Sequence, residues 1–379
     1  MKRITIFTFN LEIGGIEKHI STLSQMFHDE YEVEIISTFK GGDVPAFNIP
    51  DNVVIRYLIN EKPNDVSVKK LWRDKRIFSI LKEFIRRAWL KFLAFLRNKN
   101  AIQNIKTDII ITSHIHYSRL VGKFIKDDSV LLVSGDHNYH QGNNKYIESL
   151  LKSVEKFDCL VVASNELADF YRDKLVNTRV VCIPNALDEM SPYKSELNSK
   201  RLIAVGRFSP EKGFDDLIDV MMMVNEKDDR IKLTLIGDGF CSSTIKEKVK
   251  NLNLQDCIDI PGFKTQKELE QYYLNSSLYV MTSHTEAFGI VLIEALNYGL
   301  PLIAFDCASG PRNLINEKVG FLIANRDKME MANEIVELLN GSKLINMQDD
   351  ISDYVQRYSF KNVKKQWMQL LDELSSNSE

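Results

Sequence analysis

Short apolar runs rich in Val, Ile and Leu, each followed by a polar loop and a segment of helical period, recur along most of this 379-residue chain. A strand that is apolar on both faces needs helices packed on both sides, so the pattern commits the chain to parallel sheets wrapped by helices. In the first half the runs lie near 3–9, 32–38, 53–58, 108–112, 130–134, 158–163 and 179–183. Between Asn185 and Lys200 the alternation stops, broken by Pro192, Ser195, Asn198 and Ser199, and it resumes from Leu202 to about Leu339. Two α/β domains are therefore expected, as the length also suggests. Tyr354 to Leu374 reads as one more amphipathic helix, and the Ser/Asn/Glu tail after it as disordered.

Open parallel sheets bind ligands beyond the carboxyl ends of their strands, which makes two strand-to-helix loops informative. Glu286 follows the apolar run Leu278–Met281, and Glu294 lies within the helical stretch Ile290–Tyr298. One carboxylate can face a reacting group and the other a hydroxyl farther along the ligand. Between them Phe288, Gly289 and Ile290 offer backbone N–H groups at a helix start, which suits a phosphate. Taken alone, the spacing fits a solvated loop acid and a surface helix acid equally well. The second loop, Gly206-Arg207-Phe208-Ser209-Pro210-Glu211-Lys212-Gly213, follows the run beginning at Arg201 and precedes a helix over Phe214–Val224. Arg207 as a planar fork and Lys212 as a point charge can converge on one pyrophosphate.

Together, in this order and about 80 residues apart, the two segments resemble the donor-binding half of glycosyltransferase family 4. Glu286 and Glu294 match its Glu, seven residues, Glu motif, and Gly206, Arg207, Lys212 and Gly213 match its G-R-x-x-x-x-K-G element. Ile183-Pro184-Asn185 looks like the entry to the interdomain linker, and Leu235-Ile236-Gly237-Asp238-Gly239 like the central strand with its glycine turn. Pro261-Gly262-Phe263 resembles the loop near the nucleotide base, and Asp306 to Pro311 the turn after the next strand. No family motif is legible from about 41 to 130. The resemblance implies the GT-B fold: two Rossmann-like domains facing across a cleft, residues 1–188 on the acceptor side and 195–358 binding the donor. Residues 359–379 should cross back onto the first domain.

It also implies roles. Glu294 would hold the ribose hydroxyls and Glu286 the sugar hydroxyls near the anomeric carbon of a nucleotide-sugar, with UDP the commonest nucleotide in the family. Transfer would retain the anomeric configuration. No Asp-x-Asp motif appears, so no metal and no cofactor is expected; Arg207, Lys212 and N–H groups around Gly15 and Phe288 to Ile290 would neutralise the leaving diphosphate. Gly14-Gly15 opens a helix after the first strand, where glycine lets a ligand approach the backbone; a plain structural turn is the competing reading. His137 best matches the family's histidine that contacts the donor sugar, and His114 is a further acceptor-side candidate. A metal site built from the histidines at 114, 116, 137 and 140 is disfavoured, because His114 and His116 would point to opposite faces of an extended chain. A GT-B epimerase or glycogen-type synthase and a non-catalytic GT-B binding subunit remain as alternatives. Glu12-Ile13-Gly14-Gly15 departs from the synthases' Lys-x-Gly-Gly, and such binding subunits commonly lose the cations and paired glutamates kept here.

The net charge of −3 gives no reason to expect nucleic acid, and five scattered cysteines without a C-x-x-C pair read as reduced thiols of a cytosolic protein. No secretory signal or spanning helix is evident. One segment departs from this balance: Lys69 to Lys99 holds eleven Lys/Arg against Asp74 and Glu83, interleaved with Trp and Phe. Such a mixture predicts a helix lying on an anionic membrane surface, peripheral on the inner face, and hence a lipid-linked glycan acceptor. The competing reading packs those apolar residues into the first domain.

Overall fold

A computed structural model describes residues 1–62 and 77–376. The chain forms two compact units, one of Met1–Val162, Ala168–Cys182 and Trp367–Glu379, the other of Ala163–Leu167 and Ile183–Gln366.

In the first unit the apolar runs form seven parallel strands: β1 (Arg3–Thr8), β2 (Glu32–Phe39), β3 (Val54–Ile59), β4 (Ile109–Thr112), β5 (Leu131–Asp136), β6 (Cys159–Val162) and β7 (Arg179–Cys182). Their spatial order is β3-β2-β1-β4-β5-β6-β7. The central strands β4, β5 and β6 are buried throughout, as strands covered on both faces must be. The order reverses at β1, which pairs with β2 on one side and β4 on the other. Phe7 stands level with Thr112, and Thr112 with Ser134, so the loops after β1, β4 and β5 leave the sheet side by side. The last helix, Phe360–Ser376, reaches this unit through Trp367, which is buried and meets Phe27 edge-on at 6.0 Å between ring centroids.

The second unit has six parallel strands, β8 (Arg201–Val205), β9 (Lys232–Ile236), β10 (Ile258–Gly262), β11 (Leu278–Met281), β12 (Leu302–Phe305) and β13 (Gly320–Ile323), ordered β10-β9-β8-β11-β12-β13. Here the reversal falls between β8 and β11, so the loops carrying Arg207 and Glu286 open on the same crevice. Residues 183–200 form no helix or strand beyond a bridge from Leu187 to Ser359.

One sequence expectation needs correction. Ser309-Gly310-Pro311 is not a simple turn but the first turn of a helix, Ser309–Leu314, with Pro at a position where no intrahelical N–H bond is lost. The basic segment is helical over Ile77–Gln103, while its start, Lys69 to Arg76, lies outside the described residues, as does the tail after Ser376.

Candidate active site

The loop after β8 is shaped by Gly213. Its φ is +61°, and a Cβ there would stand 2.0 Å from the carbonyl oxygen of Thr282, so only glycine lets the two loops touch. The Thr282 hydroxyl donates to the Gly213 carbonyl at 2.9 Å, and the His284 N–H to the Glu211 carbonyl at 2.8 Å. This lacing brings the Lys212 ammonium to the Glu286 carboxylate, Nζ to Oε2 at 2.5 Å, with both side chains largely buried. Arg207 is exposed at the loop's start, and its guanidinium makes no salt bridge among the described residues.

Behind the two loops stands Arg326. It donates to Asp216 at 2.6 Å, to the Thr282 carbonyl at 2.9 Å and to the Ser283 carbonyl, and lies 4.6 Å from the Phe305 ring centroid. Asp215, Asp216 and Asp219 gather at the start of the helix Phe214–Lys227 closely enough to hold a metal ion, but lysines already occupy that role. Lys328 meets Asp216 at 2.5 Å and Asp219 at 2.7 Å; Lys248 meets Asp219 at 2.5 Å and Asp215 at 3.0 Å. Burial raises the Asp216 carboxyl, yet hydrogen bonds from Lys328 and Arg326 outweigh it and hold the group below its ordinary range.

The helix Ile290–Asn297 begins at Gly289, whose φ is +91°, and no side chain caps it. The Leu292 N–H turns back to the Gly289 carbonyl at 2.9 Å, which leaves the N–H groups of Gly289 and Ile290 for a ligand. Phe288 is buried against Tyr358, so it can offer only its backbone, whereas Phe263 at the end of β10 is 53% exposed and free to stack. Glu294, half-buried one turn into the helix, accepts from the Tyr273 hydroxyl at 3.5 Å. Tyr273 itself is buried, which pushes its phenol well above the ordinary value and keeps it a donor. Gly310 closes the arrangement: its N–H donates to the Glu286 carbonyl at 3.0 Å, and a Cβ would meet that oxygen at 2.6 Å.

In the first unit Gly14 caps the helix Gly15–Phe27, again without a side-chain cap, and the space a Gly15 Cβ would take is open. His114 caps the helix Ile115–Phe124, its Nδ1 accepting from the His116 N–H at 3.1 Å. The chain therefore turns helical here instead of running extended, and both rings reach the same residue, Phe9, His114 edge-on at 4.9 Å and His116 stacked at 5.2 Å. That overturns the expectation of opposite faces. His137 follows β5, its ring 4.3 Å from that of His19, and its Nε2 is buried without a hydrogen-bond partner. Burial, aided by His114, lowers its pKa to about 4, so the imidazole is neutral. Its neighbour Asp136 is raised to about 6 by burial, although Tyr146 and Tyr171 donate to it at 2.6 and 3.4 Å.

Two family models cover nearly the whole chain: Glycosyl transferases group 1 over residues 188–358 and Glycosyltransferase Family 4 over residues 13–190. The chain is a GT-B glycosyltransferase of the family 4 type. An exopolysaccharide phosphotransferase of Streptomyces coelicolor is 25% identical over 99% of the chain, which spans 41% of that relative's length. An N-acetylgalactosaminyltransferase of Campylobacter jejuni, named for a diphospho-undecaprenol acceptor, is 23% identical over 91% of the chain and 92% of its own length. Among solved structures, Staphylococcus aureus TarM, bound to fondaparinux, α-GlcNAc-glycerol and UDP, shares the fold with a TM-score of 0.78 at 15% identity, covering 98% of this chain and 99% of its own.

In this glycosyltransferase the donor-side residues read from the sequence meet in one unit, with Lys212 and Glu286 in contact and Glu294 on the following helix. Gly14, Gly15, His114 and His137 gather at the strand ends of the other. Sequence reasoning missed Tyr273, Arg326 and Asp136. Only Asp136 carried a signal, as an acid at the end of an apolar run; Tyr273 and Arg326 act through contacts 21 and 110 residues away in sequence.

Proposed function

We propose that this enzyme transfers a hexosyl or N-acetylhexosaminyl group from a UDP-sugar to a lipid-linked glycan acceptor, with retention, in surface polysaccharide assembly. The observation that carries the donor reading is the contact between Lys212 and Glu286. In a nucleotide-sugar the anomeric carbon is bonded directly to the diphosphate, so a cation for the phosphate and a carboxylate for the sugar hydroxyls belong a few ångströms apart. Arg207 and the N–H groups at Gly289 and Ile290 add positive potential beside Lys212, Glu294 takes the ribose, and Phe263 stacks on the base.

In the proposed step the acceptor oxygen attacks the anomeric carbon from the face the diphosphate leaves. The bond from that carbon to the phosphate oxygen breaks, and the departing phosphate takes the acceptor proton. The products are the glycoside and UDP. The enzyme supplies orientation and charge stabilisation, with no metal in the step. His137, neutral and with Nε2 unpartnered, serves as a hydrogen-bonding group for a sugar hydroxyl and not as a cation. The undecaprenol-linked acceptor named for the Campylobacter relative supports a lipid-linked acceptor here. Peripheral attachment on the cytoplasmic face is part of this proposal; no described helix is long and apolar enough to cross a membrane.

Thermal shift across a panel of nucleotide-sugars tests the donor. A ligand present at about a hundred times its Kd stabilises by about 2.7 kcal/mol, so the true donor should stand out from its neighbours. UDP-sugars are expected to raise the melting temperature and to yield UDP, with or without EDTA. A response confined to GDP- or ADP-sugars overturns the UDP assignment, and EDTA-sensitive turnover restored by Mn²⁺ overturns the metal-free one.

A further inference from the structure

The helix Ile77–Gln103 is apolar on the side that faces away from its own sheet. Its inner face is fixed. Leu90 packs with Phe39 and Ile59, and Asn98 donates to the Thr38 hydroxyl at 3.0 Å, both in buried surroundings. Glu83, also buried, accepts from Arg86 and Arg87 at 2.8 Å each, which brings its carboxyl down to about 2. With its register against the sheet pinned at Leu90 and Asn98, the helix cannot roll to hide its other side. On that side Phe78, Leu81, Ile85, Trp89, Phe92 and Leu96 follow at steps of three or four residues, one continuous stripe. Every one of them is exposed, Phe78 by 90% and Trp89 by 58%. Scattered exposed apolar residues are ordinary, but an aromatic-rich stripe of this length on one face is not.

We infer that this stripe inserts into the headgroup and acyl boundary of an anionic bilayer. The charges around it choose this occupant. Lys82 and Lys91 are exposed and flank the stripe on opposite sides, where their ammonium groups can reach lipid phosphates while the stems lie along the apolar face. Trp89, beside Phe92 at 5.9 Å between ring centroids, suits the interfacial depth. The sequence expectation of a basic face docked on an anionic surface changes in one respect: Arg86 and Arg87 are committed to Glu83, so apolar insertion carries more of the attachment than net charge does.

The test is flotation of the full-length protein with phosphatidylcholine vesicles containing about 30 mol % phosphatidylglycerol, at physiological and at about 0.5 M salt. Wild type is expected to float at both. W89E/F92E should lose flotation at both, whereas K82Q/K91Q should weaken it about tenfold at physiological salt only. The substituted side chains are exposed, so each variant should melt like wild type and keep its stabilisation by UDP. In wild type, brominated lipid should quench a fluorescence component that is absent from Trp89→Phe. Absence of that quenching, or flotation of W89E/F92E equal to wild type, overturns the inference. So does self-association of wild type without vesicle binding, abolished by W89E/F92E, which would assign the stripe to a second copy of the chain. Loss of UDP stabilisation with flotation intact would fault the donor reading alone.

Discussion

Lys212 has two partners to satisfy in turn, Glu286 in the free protein and, on the proposed reading, the donor diphosphate. Removing it takes away a charge that stabilises the leaving group and leaves Glu286 without the contact that orients it. Lys212→Ala is therefore expected to lower kcat by on the order of a hundredfold or more, and Arg207→Ala by less, because the exposed guanidinium positions no other side chain. Steady-state kinetics with saturating donor would show it; near wild-type turnover in both variants would remove the phosphate assignment. Glu294 gives a different signature. If it holds the ribose equally in ground and transition states, Glu294→Ala raises the donor KM more than it lowers kcat. Tyr273→Phe, which removes one donor to that carboxylate, should move KM in the same direction by a smaller factor.

At the level of elements, the site exists because two loops touch where the strand order reverses, and Gly213 is where they touch. Gly213→Ala would put a side chain in a left-handed conformation costing about 1–2 kcal/mol and drive its Cβ into the Thr282 carbonyl. A fall of several degrees in melting temperature is expected, together with a fall in kcat, since Lys212 and Glu286 sit on the two displaced loops. Thr282→Val loses only the hydrogen bond to Gly213 and should do less of both; equal effects would mean the clash is absorbed elsewhere. The strands themselves were legible because parallel strands buried on both faces are uninterrupted apolar runs, and all seven expected in the first unit are present. Their lateral order was not, since nothing in a run such as Leu278–Met281 says which strand it will pair with. The Lys212 to Glu286 contact, 74 residues apart, follows from that order and could be reached beforehand only through the family resemblance. The basic segment shows the opposite failure: its composition was read correctly as amphipathic, but the division of its cations between Glu83 and solvent depends on burial that composition does not encode.

Across the molecule, acid should act on buried Asp136 and half-buried His137, neighbours at the end of β5, in opposite directions. His137 has a pKa of about 4 in the folded chain against an ordinary 6.5, so its contribution to stability is present above pH 6.5 and is lost as pH falls toward 4. Asp136 has a pKa of about 6 against an ordinary 3.8, so the folded chain holds its proton more tightly. Its contribution is greatest below pH 3.8 and is lost as pH rises through 6. Between pH 7 and 4.5 the two changes partly cancel in wild type, and each single variant should expose the other. Relative to wild type, the melting temperature of His137→Gln is expected to improve as pH is lowered from 7 to 4.5, because only in wild type does the unfolded chain take up a proton at this position that the folded chain holds off. That of Asp136→Asn should worsen over the same interval, because wild type alone gains a proton on folding. Melting curves for the three proteins at the two pH values decide it, and a pair of variants that shift in the same direction would mean that one of these side chains is hydrated in the folded enzyme.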